Sequence, residues 1–332
     1  MATYKGINGF AVQSVASDPS PLDEGQVWYN NATYAFKLAG IQAASWASGG
    51  NLNTARFSLA GSGTQTSALA FGGTTSGGTP GNIPGATELY NGTSWTSNPT
   101  NMNTGRFGLA GAGTQTATIS ASGGTNGGSP DSPSNASESW NGTSWTSTSP
   151  INTTRRNARG TGLQTAALIF GGQVDGASPD KSAATESWNG SSWTSVNSLN
   201  TARRDPGGAG LQTAALAFGG STGSSSAATE SWNGTSWTTL PATMNTSRSY
   251  LGGCGTQTAA IAFGGGPGPG AAATELWNGT SWTTTTPMAT GRGDMASSGT
   301  QTAALGAGGG GATTTTEEFT GAAVATKTIT TS

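Results

Sequence analysis

The sequence predicts an all-β protein assembled from repeated four-stranded units, and three observations carry that expectation. An arginine closes an Asn-Thr-x-Arg step at Arg56, Arg106, Arg155, Arg203 and Arg248, with an Ala-Thr-Gly-Arg version ending at Arg292. Nine residues after each stands a glutamine (Gln65, Gln115, Gln164, Gln212, Gln257, Gln301), followed by a glutamate (Glu88, Glu138, Glu186, Glu230, Glu275, Glu317). Successive glutamines are 50, 49, 48, 45 and 44 residues apart, a period typical of propeller blades and longer than most helical repeats. No stretch has helical periodicity, and with 55 glycines in 332 residues a helix is costly, since each interior glycine loses ~1 kcal/mol against alanine.

In chain order, residues 1–23 carry no repeat and end in Asp18-Pro19-Ser20-Pro21. They read either as an arm that orders only against a neighbour or as a frayed terminus. Each unit then reads as four short strands. In the fourth unit the first strand is expected over 204–210, and the second is the apolar run 214–218, closed by Gly219-Gly220 and suited to packing on both faces. The third is 229–232, and the fourth begins at Trp237. If Asn233-Gly234-Thr235-Ser236 is all loop, Trp232 and Trp237 stand opposite one another, a cross-strand pair worth ~0.2–1 kcal/mol. A two-residue Asn-Gly turn shifts that register.

This order of features resembles the kelch repeat of β-propellers. The shared points are the arginine opening the first strand and the Gly-Gly doublet closing the second (Gly72-Gly73, Gly123-Gly124, Gly171-Gly172, Gly219-Gly220, Gly264-Gly265). An aromatic follows in the third strand (Tyr90, Trp140, Trp188, Trp232, Trp277) and a tryptophan in the fourth (Trp95, Trp145, Trp193, Trp237, Trp282). The resemblance implies a kelch-like propeller of six four-stranded blades over residues 41–332, preceded by an arm and hairpin over 1–40. The sixth unit departs from it, with Phe319 and Val324 in place of its two tryptophans. Residues 41–48, with Trp46, read as a spare fourth strand able to complete that blade. Alternatively, 322–330 supply its last strand and 24–48 form a separate hairpin or part of a seventh blade.

The wording of the units, "TESWNGTSWT…LNTAR…GLQTAALAFGG", is also similar to kelch-like proteins of tailed bacteriophages, especially marine and cyanobacterial ones. Residues 24–31, EGQVWYNN, resemble a hairpin common in phage tail and virion proteins. These likenesses imply a virion protein made in the host cytoplasm, present in several copies and docked to other virion proteins through its N-terminal arm.

Composition bounds the chemistry. The net charge is −2, so no basic footprint for nucleic acid is present. The opening MATYKGINGF lacks an apolar signal-peptide core, and no apolar run approaches the ~20 residues that cross a bilayer. There is no histidine, which removes serine-histidine triads and most zinc or copper sites. A single cysteine, Cys254, allows no internal disulfide and reads as a small buried filler. No metal, cofactor or enzymatic activity is expected.

Two sets of candidate residues follow. The repeated Arg and Glu are either charges lining a central channel or hydrogen-bonded pairs within the scaffold. Their presence in every unit favours the second reading, because buried charges must be paired. Between second and third strands lie loops of differing length, and loops on a rigid scaffold are where recognition usually lives. There Asp131, Asp175, Asp180 and Lys181 are the candidate ligand contacts. The Asn-Gly-Thr/Ser steps are explained by turn geometry rather than glycosylation, and the Arg292-Gly293-Asp294 tripeptide by chance. The expected function is a non-enzymatic virion structural protein of the tail, fibre or another appendage, a rigid platform for host surface glycans. The alternatives are a purely structural decoration or joining protein and a two-carboxylate glycan-degrading enzyme, although no unique acidic pair stands out.

Overall fold

The computed structural model describes residues 12–75, 85–125, 132–175, 180–266 and 271–329. Among them there is no helix, and the strands form seven four-stranded sheets and one two-stranded ribbon, Gly124–Thr125 with Ser132–Pro133. This is an all-β architecture consistent with a β-propeller.

Two compact units divide the chain. Residues 46–320 form the larger one, and six of the four-stranded sheets belong to it. Sheet 1 comprises Ala60–Gly63, Ala68–Phe71, Thr87–Tyr90 and Trp95–Asn98. Sheet 2 comprises Ala110–Gly113, Thr118–Ala121, Ser137–Trp140 and Trp145–Thr148. Sheet 3 is Arg159–Leu163, Ala166–Phe170, Thr185–Trp188 and Trp193–Val196; sheet 4 is Gly207–Leu211, Ala214–Phe218, Thr229–Trp232 and Trp237–Thr239. Sheet 5 is Gly252–Gly255, Ala260–Phe263, Thr274–Trp277 and Trp282–Thr285. Sheet 6 combines Ala296–Gly299, Ala303–Ala307 and Thr316–Thr320 with Ser45–Ser48 from the other end of the repeat region.

Each first strand lies against the first strands of two other sheets, in the order 1-2-3-4-5-6 and back to 1. Such crowding explains the glycines there: a Cβ on Gly160 would fall 2.7 Å from the Gly111 carbonyl oxygen. The apolar core is split into clusters that each draw on two adjacent sheets, such as Ile119 and Ile151 with Ile169, Trp188 and Trp193. The Trp232–Trp237 ambiguity is resolved in favour of the four-residue loop, with the two rings opposed at 5.4 Å between centroids. Asn233 Oδ1 accepts from the backbone N–H of Thr235 and Ser236, at 2.9 and 2.8 Å, which stabilises that wider turn.

Two expectations need correction. The first strand of sheet 4 begins at Gly207, not at Arg204, because Asp205 sits in the left-handed region (φ 52°) and turns the chain before Pro206. The fourth-strand tryptophan of sheet 6 is replaced by Trp46 rather than by Val324. Trp46 packs on Phe319 (5.2 Å) and Phe263 (5.1 Å), while Val324 lies in Ala323–Thr328, a strand of the smaller unit.

That smaller unit joins residues 1–45 to 321–332. Its sheet orders Gln13–Val15, Val27–Asn30, Ala35–Gln42 and Ala323–Thr328, the first pair parallel. Gln13–Val15 of the expected arm pair with the chain's own hairpin at Trp28–Asn30. Asp18 Oδ1 accepts from Trp28 Nε1 at 3.0 Å and Asn30 Nδ2 at 2.7 Å, and these bonds hold its carboxyl below the usual carboxylate range.

Candidate functional site

The repeated arginines and glutamates lie inside their own sheets. Arg56–Glu88 (2.8 Å), Arg106–Glu138 (3.1 Å), Arg155–Glu186 (2.6 Å), Arg203–Glu230 (2.8 Å) and Arg248–Glu275 (2.9 Å) are ion pairs, and Arg292–Glu317 is a sixth. Every partner is buried. In sheet 4, Arg203 Nη1 also donates to the carbonyls of Gly219 and Ala228. Glu230 accepts from the backbone N–H of Asn200 (2.7 Å) and Thr201 (3.3 Å), and the Asn200 amide donates to the Trp237 carbonyl (3.1 Å). One hydrogen-bonded network thus ties together the Asn-Thr-x-Arg step, the Gly-Gly doublet, the glutamate and the second tryptophan. Burial lowers the pKa of Arg203 while the Glu230 charge opposes it; the carboxylate is what makes a buried guanidinium tolerable.

The glutamines act between sheets. Gln257 Nε2 donates to the carbonyls of Trp232 (2.5 Å) and Ala215 (3.2 Å) in the preceding sheet. Gln65 does the same from sheet 1 to Phe319 (2.6 Å) and Ala304 (3.1 Å) of sheet 6.

Of the loop candidates, Asp131 lies outside the described residues. Asp175, Asp180 and Lys181 come together beside the third sheet. Lys181 pairs with Asp180 at 2.6 Å, Gln173 Nε2 donates to Asp180 Oδ2 at 3.0 Å, and Arg156 approaches Asp175 at 3.6 Å. The Lys181 hydrogen bond is the largest cause holding Asp180 below its ordinary pKa. Arg204 donates to Gln173 Oε1 at 3.2 Å, extending the network toward the first strands.

A third group escapes the sequence reading. Two residues after each repeat arginine stand Ser58, Gly108, Asn157, Asp205, Tyr250 and Asp294, all with φ between 52° and 60°. Their backbones form a closed ring of six N–H···O=C bonds: Ser58 to Asp294 (2.7 Å), Gly108 to Ser58 (2.8 Å), Asn157 to Gly108 (2.6 Å), Asp205 to Asn157 (3.0 Å), Tyr250 to Asp205 (3.1 Å) and Asp294 to Tyr250 (2.9 Å). Left-handed backbone is rare for a residue as bulky as tyrosine, and such strain collects at functional positions. The ring frames a cavity of about 60 Å³, also lined by Leu59, Ala158 and Met295. Tyr250 and Asp294 further border a cleft of about 490 Å³ whose walls are mostly glycine, including Gly265, Gly291 and Gly310.

The electrostatics of this mouth are unusual. Burial raises Asp205 well above the ordinary carboxylate range, the Asp294 charge adds to the shift, and Arg204 and an Asn157 hydrogen bond oppose it. Asp294 is pushed up to about 6 by burial, against a Ser58 hydrogen bond and Arg204. The Tyr250 phenol is raised by burial and by the Asp205 charge. A carboxyl pushed toward its protonated form can donate as well as accept hydrogen bonds, which suits an uncharged hydroxyl-bearing ligand. The structure thus brings together an acidic pair that lies 89 residues apart in sequence. Aligning the units on their arginines exposes the signal, since this repeat column carries five different residue types in six units. The Arg-Gly-Asp tripeptide falls on the same ring, its arginine buried against Glu317.

Among the described residues, no three His, Cys, Asp or Glu side chains are grouped to hold a metal ion. No protein-family model matches the chain, and no curated protein matches it.

Proposed function

We propose that the chain is a kelch-like propeller of six blades acting as a non-enzymatic platform on an exterior appendage of a tailed-phage virion. Its axial face would take a neutral, hydroxyl-rich ligand such as a host surface glycan. One observation carries this reading: polar chemistry is segregated. Each repeat glutamate and arginine is consumed by scaffold bonds. Outside those twelve residues, 46–320 contains nine charged side chains among the described residues. Seven of them (Arg156, Asp175, Asp180, Lys181, Arg204, Asp205 and Asp294) gather at the axial mouth and the loop network beside it. A scaffold with no partner has no need to confine its unpatterned charge to one place. The cleft beside Tyr250 and Asp294 falls within the ~300–1,000 Å³ typical of small-ligand sites, and tyrosine offers a flat apolar face to a sugar ring. In this reading the smaller unit, with its N-terminal arm, attaches the protein to other virion proteins.

The paired Asp205 and Asp294 favour one second reading, glycan hydrolysis, in which one carboxyl keeps its proton as general acid. Glycan-array binding, compared with the Asp205→Asn and Tyr250→Ala variants, separates the two. Binding that both variants weaken, without release of reducing ends, supports the platform. Product release abolished in Asp205→Asn establishes the enzyme instead. Electron microscopy of the parent particle places the protein, and its absence from the particle ends the virion assignment.

A further inference from the structure

The larger unit holds one partly buried cation, Arg159, that no described carboxylate neutralises. Arg159 opens the first strand of sheet 3, four residues after the repeat Arg155. The other units carry Ala60, Ala110, Gly207, Gly252 and Ala296 in that column. Its guanidinium crosses from sheet 3 to the far side of the ring of first strands. There Nη2 donates to the Gly253 carbonyl at 2.5 Å and to Ser297 Oγ. No described carboxylate pairs with it, and its Nε is buried without a hydrogen-bond partner. Each of the six repeat arginines has a glutamate; Arg159 has only neutral oxygens.

Beside it lies a cavity of about 110 Å³ lined by Arg159, Thr161, Ser62, Cys254 and Ser298, with Gly63, Gly113, Gly162, Gly210, Gly255 and Gly299 among its walls. Thr161 is only 7% exposed and its Oγ1 has no partner. Being two residues along the same strand, it shares the face of Arg159. The neighbouring hydroxyls are already engaged, Ser62 with Thr118 Oγ1 (2.6 Å) and Ser298 with the Thr64 carbonyl (3.4 Å). Cys254 supplies no counter-charge either, since burial pushes its thiol up to about 12.

We propose that this cavity is an anion site for a small carboxylate of formate or acetate size, held by the Arg159 guanidinium with Thr161 Oγ1 as a second donor. A partly buried guanidinium with no counter-ion favours an anion beside it, its unpartnered Nε–H remains to donate to a carboxylate oxygen, and the spare hydroxyl provides the next hydrogen bond.

The test uses variants that the repeat itself endorses: Arg159→Ala reproduces Ala60, Ala110 and Ala296, and Thr161→Ala reproduces Ala112 and Ala209. Thermal unfolding is followed in a low-salt buffer with added sodium formate, sodium acetate or sodium chloride at matched ionic strength, alongside calorimetric titration of formate into the wild-type chain. Formate should raise Tm logarithmically with concentration above its Kd, by about 5 °C at ~100-fold above it, with chloride distinctly weaker. Arg159→Ala should be at least as stable as wild type without formate and show no formate response, and Thr161→Ala should bind several-fold more weakly. An absent calorimetric signal, an equal formate response in Arg159→Ala, or chloride matching formate would each overturn the assignment.

Discussion

The indole nitrogen of Trp46 donates to Thr274 Oγ1 at 3.0 Å, across 228 positions of sequence. Equivalent bonds run from Trp95 to Thr316, Trp145 to Thr87, Trp193 to Ser137, Trp237 to Thr185 and Trp282 to Thr229. Each joins the fourth strand of one sheet to the third strand of the preceding one, so the series is cyclic. Only Trp46 comes from outside the unit whose sheet it completes, so the closure depends on it.

Trp46→Ala should therefore destabilise the fold by about 3 kcal/mol, the lower range for losing a packed tryptophan. Trp46→Phe, which keeps the apolar ring but not the donor, should cost about 1 kcal/mol. Denaturant titration reads both, and an unchanged midpoint for Trp46→Ala contradicts this view of closure.

Gln65 ties sheet 1 to sheet 6, at the same seam as the Trp95–Thr316 bond. Gln65→Ala should cost about 1–3 kcal/mol by leaving the Phe319 and Ala304 carbonyls unpaired. Gln65→Glu should be worse than the alanine variant near neutral pH, because a carboxylate facing two carbonyl oxygens cannot donate to them. The reverse order would show that the side chain's packing, not its amide donor, matters there.

Arg203→Ala should cost about 3–5 kcal/mol, because it leaves Glu230 charged and buried. Adding Glu230→Leu should recover part of that loss, so the coupling in the double-mutant cycle exceeds the cost of Glu230→Leu alone. Strict additivity would show the pair to be independent.

Asp294 gives a pH signature. Its pKa rises from an ordinary 3.8 to about 6 on folding, so the folded state binds the proton more tightly than the unfolded chain does. Its contribution to stability is therefore complete below pH ~4 and is lost as pH climbs through 6. Asp294→Asn places at this position the residue that the third unit carries as Asn157, and asparagine accepts a φ of 57°. The variant should gain on wild type by up to about 2–3 kcal/mol between pH 4 and pH 7. Stability curves that stay parallel across that range would refute the shift.

Cys254 should resist thiol reagents until the chain unfolds, since it is buried and its thiol is pushed up to about 12. Rapid labelling of the native protein at pH 8 would show that the first strands open readily.

Much of this fold is legible in the sequence because it is local. Residues 214–218 and 229–232 are strands as expected, since apolar runs bounded by Gly-Gly and Asn-Gly leave the backbone few alternatives. The units' shared Arg, Gln and Glu, and the sheets they mark, could be counted from the chain alone. The positions that depend on distant partners were not legible. Trp46 and Val324 are comparable candidates for one vacant strand position until Thr274 and Phe263 are placed beside them. Asp205 and Asp294 look like two scattered acids until six turns meet at one mouth, and Arg159 like a surface charge until the first strands converge around it. Sequence determined the repeating unit, because strand, turn and buried pair form within about 50 residues. Tertiary structure alone decided how the units close and which side chains share the axis, because those contacts exist only once distant segments have met.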